Sequence, residues 1–229
     1  MAVNVILFGA TGMIGQGVLR ECLHDPGVQT IRIVVRSATG IQHIKLKEII
    51  HEDFFQYSSV KDDLRDCDAC FFCLGISSAG MKEVDYRKVT YDITLAAARA
   101  LLPLNPNMTF IYVSGVGTDT TEKGRSMWAR VKGGTENALL RMPFKAAYMF
   151  RFGFVEPLHG IKSRTAVYRF LYTLGKPLLP LLKQLLPSQI LTTEQIGRAM
   201  LIATRCGAPK QVLGIKDIRA LAASLPTAR

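Results

Sequence analysis

The chain opens on a short apolar run, Val3-Asn4-Val5-Ile6-Leu7-Phe8, which breaks into Gly9-Ala10-Thr11-Gly12-Met13-Ile14-Gly15 and continues with helical periodicity. Buried strand, glycine turn and helix start in that order are what a dinucleotide pyrophosphate requires. Gly9 makes the tight turn, Gly12 lets the backbone approach the phosphates, and Gly15 lets the helix pack close to the strand. The helix N-terminus then offers unpaired N–H groups to the anion, so Thr11, Met13 and Ile14 count with the glycines as candidate contacts. The spacing is GxxGxxG rather than GxGxxG, and the competing reading is a plain strand-to-helix turn.

An alternating rhythm follows this first unit. Residues 30–35, 46–50, 69–74, 108–113 and 146–151 read as further strands; 61–65, 84–102 and 127–141 read as helices. Near-continuous apolar strands separated by helices predict a doubly wound parallel α/β sheet covered on both faces. At 229 residues and 48% hydrophobic, the chain can bury one full core without disulfides or metal. Residues 1–229 are therefore read as a single dinucleotide-binding domain, with 156–229 a small helical, substrate-facing part.

The cysteines carry no framework. They are odd in number, and the chain begins directly on a strand with no leader-like segment ahead of it, so a reducing cytoplasm is expected. Cys67, Cys70 and Cys73 tempt a metal reading, but side chains alternate along a strand, so Cys70 and Cys73 should face opposite sides. No metal site is expected. The net charge of +11 is unevenly placed: residues 1–140 hold 15 basic and 15 acidic residues, whereas 141–229 hold 14 and 3. Such an excess favours anionic partners or simply a solvated surface.

Cofactor preference is read at the end of the second strand. A carboxylate there would bind both ribose hydroxyls and favour NAD. Arg36-Ser37 instead offers a cation and a hydroxyl suited to a 2′-phosphate, which points to NADP(H) over NAD; the alternative is an ordinary exposed charge. Asp53-Phe54 follows the third strand and is a candidate to flank the adenine. Leu74-Gly75-Ile76 follows the fourth, where backbone passes the cofactor near the switch point.

The GATGMIG turn, CLGIS after the fourth strand, VDYRKVTYDITLAAARAL on the next helix, VSGVG after the fifth strand and VKGGTE beyond it together resemble the atypical short-chain dehydrogenases/reductases. More narrowly, they are similar to the Tat-interacting-protein-like, NmrA-like and epimerase-like branches. The likeness covers about residues 3–155 and implies a Rossmann fold. It also implies a catalytic serine, tyrosine and lysine. Ser114 matches the serine that bonds a substrate oxygen, and Lys132 the lysine that bonds the nicotinamide ribose and lowers the tyrosine pKa. The segment Phe152-Gly153-Phe154-Val155 corresponds to the stretch that passes near the nicotinamide.

The tyrosine position, four residues before Lys132, is Trp128. An indole N–H donates a hydrogen bond but has no usable acid at neutral pH, so simple tyrosine-dependent reduction is not expected. Tyr86 and Tyr91 are substitute acids or packing aromatics, and His159 a substitute base or a surface residue. Residues 167–187 are apolar and broken by prolines and lysines, so they read as a pocket lid, a subunit contact or a peripheral contact with an anionic membrane. Thr192-Thr193-Glu194-Gln195 resembles a capping box, with Thr193 the expected cap. Two functional classes follow: an NADP(H)-dependent oxidoreductase or isomerase on a small substrate with a modified site, or a non-catalytic redox sensor or scaffold. A homo-oligomer fits either, and no nucleic-acid motif accompanies the charge.

Overall fold

Apolar strands assemble side by side when both sheet faces are covered, and the computed structural model, which describes residues 2–161 and 189–224, builds that arrangement. β1 (Val3–Phe8), β2 (Val28–Val35), β3 (Leu46–Ile50), β4 (Ala69–Phe72), β5 (Thr109–Gly115), β6 (Ala146–Phe152) and β9 (Val212–Leu213) form a seven-stranded sheet. Its order is β3-β2-β1-β4-β5-β6-β9 and every neighbouring pair is parallel. β7 (Val155–Glu156) and β8 (Leu191–Thr192) pair separately. After β3 the chain crosses back to lay β4 beside β1, which opens a crevice at the carboxyl ends of those strands.

Alternation sorts the side chains into two cores. Val5, Leu7 and Phe71 face α1 (Met13–His24), α5 (Thr193–Cys206) and α6 (Ile215–Ala223). Ile6, Phe8, Cys70 and Phe72 face α3 (Ile93–Leu101) and α4 (Met127–Leu140). On this second face Phe8 stacks on Phe72 at 5.2 Å, Phe72 on Phe110 at 6.0 Å, and Phe110 meets Phe144 at 5.0 Å, an aromatic row across β1, β4 and β5. Cys70 lies in this core and Cys73 packs against the other, as strand alternation predicts.

Several expectations are corrected at their edges. The helix expected over 84–102 begins as α2 (Glu83–Arg87) and passes through a π-helical stretch, Lys88–Asp92, before α3. The wider turn keeps residues four apart in line, and Tyr86, Thr90 and Thr94 are all buried. The short helix near 61–65 is a 3-10 segment, Ser58–Leu64. β4 stops at Phe72 because Cys73 and Leu74 turn against Gly9, and β5 runs on to Gly115, so Ser114 lies within a strand rather than after it.

The C-terminal helices pack on the sheet face that also carries α1. α5 crosses α1, where Gly17 lies against Thr193 and Gly197 against Glu21, and Arg205 grips Asp25 through two bonds of 2.8 and 2.9 Å. Arg198 pairs with Glu21 and Glu194, and Lys210 with Asp217, so these C-terminal cations are held in ion pairs. Residues 167–187, expected as lid or membrane contact, lie outside the described residues. Among the described residues no helix is long and apolar enough to cross a membrane.

The capping box closes one residue earlier than expected. Thr192 Oγ1 accepts from Gln195 N at 3.1 Å and Gln195 Oε1 accepts from Thr192 N at 3.0 Å, while Thr193 Oγ1 is taken by Leu158 N. Thr192→Ala should therefore cost about 1 kcal/mol in urea unfolding. A cost within the error of the measurement would show that the box is energetically idle.

Candidate functional site at the carboxyl edge of the sheet

Three backbone segments lock together at the switch point. Gly9 has φ +80°, and a Cβ there would lie 2.6 Å from Leu74 N and 2.7 Å from Cys73 C. A Cβ on Gly15 would lie 2.0 Å from Gly9 O. Gly12 N donates to Gly9 O at 3.0 Å and so closes the turn. Gly12 is the N-cap of α1 and provides no side-chain cap, which leaves the first-turn N–H groups of Met13, Ile14 and Gly15 aimed out of the helix without an intrahelical partner. Thr11 lies within the turn, where its carbonyl accepts from Gln16 Nε2. These residues fit a pyrophosphate.

The neighbouring strand end holds the residues that the sequence marks as candidates for the adenosine side of a dinucleotide. Arg36 and Ser37 are exposed directly after β2, and among the described residues Arg36 makes no hydrogen bond or ion pair. Glu48 of β3 is occupied, since its carboxylate takes both the amide and the hydroxyl of Thr39. Asp53 is exposed and accepts from Phe55 N at 2.9 Å. The Phe54 ring is buried against Phe8, 6.4 Å between centroids, so its side chain packs in the core and Asp53 is the exposed member of the pair.

On the other side of the switch, Gly75 and Ile76 are exposed, and Gly75 faces open space. Ser114, near the end of β5, is buried with its Oγ 3.0 Å from Thr118 Oγ1. Thr118 donates its own proton to Gly115 O at 2.8 Å, so Ser114 is the donor in the pair and keeps its lone pairs free. Trp128, in the first turn of α4, lies against the same strand end: Cβ atoms on Gly115 and Gly117 would sit 3.3 and 3.5 Å from its ring. The indole thus covers the backbone that immediately follows Ser114.

One turn below, Lys132 Nζ donates to Tyr112 Oη at 3.3 Å and to Val113 O at 3.2 Å. Burial lowers its pKa to about 8, with Glu136 opposing that shift. Burial also drives the Tyr112 phenol far above its ordinary value, so Tyr112 anchors the lysine and does not ionise. Glu136 is fully enclosed and belongs to Arg151, whose Nε reaches its two carboxylate oxygens at 3.0 and 3.1 Å while Nη2 closes the fork. Arg151 sits beside Ser114 in the β5–β6 register.

The sequence did not announce this Glu136–Arg151 pair. The signal was a carboxylate in a helix otherwise facing the core, and it becomes visible only once α4 is laid over β6. Phe152 and Val155 are core residues, while Gly153 is exposed and Phe154 stands out at 78% exposure. Tyr86 is buried, the Arg87 guanidinium lies 4.0 Å over the Tyr91 ring, and His159 Nε2 is 3.3 Å from Glu194 Oε2. The Tyr91 and His159 contacts are made with surface charges, whereas Tyr86 is buried beside Tyr112.

Comparison with known proteins meets this geometry. The family model described as NAD(P)H-binding matches residues 9–140. The fmp52 protein of Emericella nidulans, named as mitochondrial, is 27% identical over 159 residues, which is 66% of this chain and 66% of that relative's own length. Among solved structures, the Bordetella bronchiseptica enzyme WbmF in complex with NAD+ superposes with a TM-score of 0.67 at 14% identity, covering 96% of this chain and 76% of that one. The UDP-N-acetylglucosamine 4-epimerase of Methanobrevibacter ruminantium gives 0.65 at 15%, covering 93% and 76%. The solved structures share the fold, and with the family match over most of the turn, sheet and α4 the chain belongs to the NAD(P)H-binding family as an atypical short-chain dehydrogenase/reductase.

Proposed function

We propose that the protein is an NADP(H)-dependent oxidoreductase acting on a small, largely apolar carbonyl or alcohol substrate. The observation that carries the reading is the pairing of an uncapped α1 N-terminus with Arg36, which has no partner among the described residues, one strand away; its cation suits a 2′-phosphate, and the Glu48 carboxylate of the adjoining strand is taken by Thr39. Ser114 and Lys132 stand at the same edge of the sheet. Apolar residues gather there too: Ile76, Val84, Val116 and Phe154, in the segments after β4, β5 and β6, are 43, 77, 54 and 78% exposed. The free cysteines fit a reducing compartment, and cell fractionation distinguishes cytosol from the mitochondria named for the fungal relative.

Calorimetry with NADPH and NADH in parallel tests the reading. NADPH is expected to bind more tightly, and Arg36→Asp should weaken it by about 10- to 100-fold, the loss of one charge-assisted phosphate contact, while leaving NADH binding equal or improved. Equal affinities in the parent protein would remove the 2′-phosphate role. Trp128 favours a second reading, a dinucleotide sensor without turnover. NADPH binding with no consumption across a panel of small aldehydes and ketones would select it.

A further inference from the structure

The cluster at the end of β5 has to hold and move a proton if the site reduces or oxidises anything, and the usual phenol is replaced by an indole. The Ser114 hydroxyl is committed to Thr118. Tyr112 and Tyr86 are buried at 1 and 2% exposure. Arg151 is forked to Glu136, and Arg130 is held by Glu83 and Gly124 O. Lys132 differs from all of these. It is held through two neutral acceptors, Tyr112 Oη and Val113 O, and an ammonium has a third N–H to give.

The groups that face Lys132 leave it without an ionic partner. From β5 come Tyr112 and the Val113 carbonyl; from α4, one turn on, comes Glu136; from β6 comes Arg151, which takes the Glu136 carboxylate for itself; Tyr86 of α2 contributes through Tyr112. We propose that Lys132, rather than a phenol, is the group that gives up and retakes the proton at this site. The proposal rests on the oxidoreductase reading above. In reduction, the substrate carbonyl would be reduced by hydride supplied by bound NADPH, which leaves as NADP+, while the carbonyl oxygen takes a proton from Lys132 Nζ: a C–H and an O–H bond form on the substrate, the carbonyl π bond, the donor C–H bond of the dihydronicotinamide and the Nζ–H bond break, and a proton from solvent recharges the neutral amine. Oxidation runs the same exchange backwards.

Enclosure supports it, because a lysine brought to about 8 is mostly charged at neutral pH yet deprotonates within reach of it. An unfolded lysine keeps its proton to about 10.4, so burying Lys132 weighs against the fold below about pH 8 and that cost is relieved as pH rises across the interval.

The test is made on the full chain without cofactor. Lysines are reductively methylated with 13C-formaldehyde, the Lys132 signal is assigned by its loss in Lys132→Arg, and it is followed by NMR from neutral to alkaline pH. A midpoint near 8 is expected for Lys132. A midpoint in the ordinary lysine range overturns the proposal while leaving NADPH binding, read separately by calorimetry, to decide the oxidoreductase reading. In turnover, Lys132→Arg keeps a cation for the ribose but has no proton to release. It should retain NADPH binding within about tenfold, a loss no larger than one ordinary hydrogen bond, and lose kcat by about 10²- to 10⁴-fold. Retention of kcat within a few-fold overturns the proton role and leaves a binding role alone.

Discussion

Arg151→Met is expected to destabilise the fold by about 3–5 kcal/mol, the largest single effect among the charged residues near the site. Glu136 has no exposure of its own, and its two oxygens are satisfied by the Arg151 fork. Removing the guanidinium strands a carboxylate inside the α4–β6 contact, where desolvation is no longer offset. Lys132, four residues before Glu136, is near enough to compensate in part. The double variant Glu136→Leu with Arg151→Met separates charge from packing: it should recover most of the loss, because apolar side chains of similar volume replace a buried ion pair at little or no cost. Urea unfolding with a two-state fit provides both numbers. A single variant within about 1 kcal/mol of the parent would mean that the pair behaves like an exposed one.

That pair also marks the boundary of what the sequence discloses. The β1 strand, the glycine turn and α1 are contiguous, so their apolar run, spacing and helical periodicity lie in one readable stretch. Arg36 is legible for the same reason, since it ends a strand whose identity is local. Glu136 and Arg151 are separated by the end of α4, a turn and most of β6, and their meeting depends on helix phase and strand register, neither of which any local pattern encodes. Phe54 shows the converse limit, a packing partner that the local pattern does not name. It follows a strand, as a base-flanking residue would, but the chain after β3 folds inward and the ring packs on Phe8. β9 is too short for alternation to register, yet it extends the sheet beyond β6. Thr192 and Thr193 differ by one position, and only the bond to Gln195 tells the cap from its neighbour.

Gly15→Ala and Gly12→Ala should separate what the turn does for the fold from what it does for a ligand. A methyl on Gly15 would fall 2.0 Å from Gly9 O, 2.7 Å from Gly9 C and 2.9 Å from Ala10 Cα. All are backbone atoms, and Gly9 cannot retreat because its far side is already against Cys73 and Leu74 of the β4 end. Relief therefore requires α1 to move off the sheet, which breaks close packing with α5 as well, and the expected cost is about 1–3 kcal/mol together with loss of NADPH binding. Gly12 is different: its φ of −78° suits any residue, and a methyl there would meet Gly9 O at 3.3 Å. Gly12→Ala should cost less than Gly15→Ala, about 1 kcal/mol or less, because the contact asks for a shift of only a few tenths of an ångström rather than a displaced helix. It should still weaken NADPH by about 10- to 100-fold, because the methyl stands where phosphate oxygens approach the α1 amides. Thermal and urea unfolding beside calorimetry on both variants decides the matter: a Gly12→Ala protein that binds NADPH as the parent does would mean that the phosphates do not pass over this residue, whatever its place in the glycine pattern.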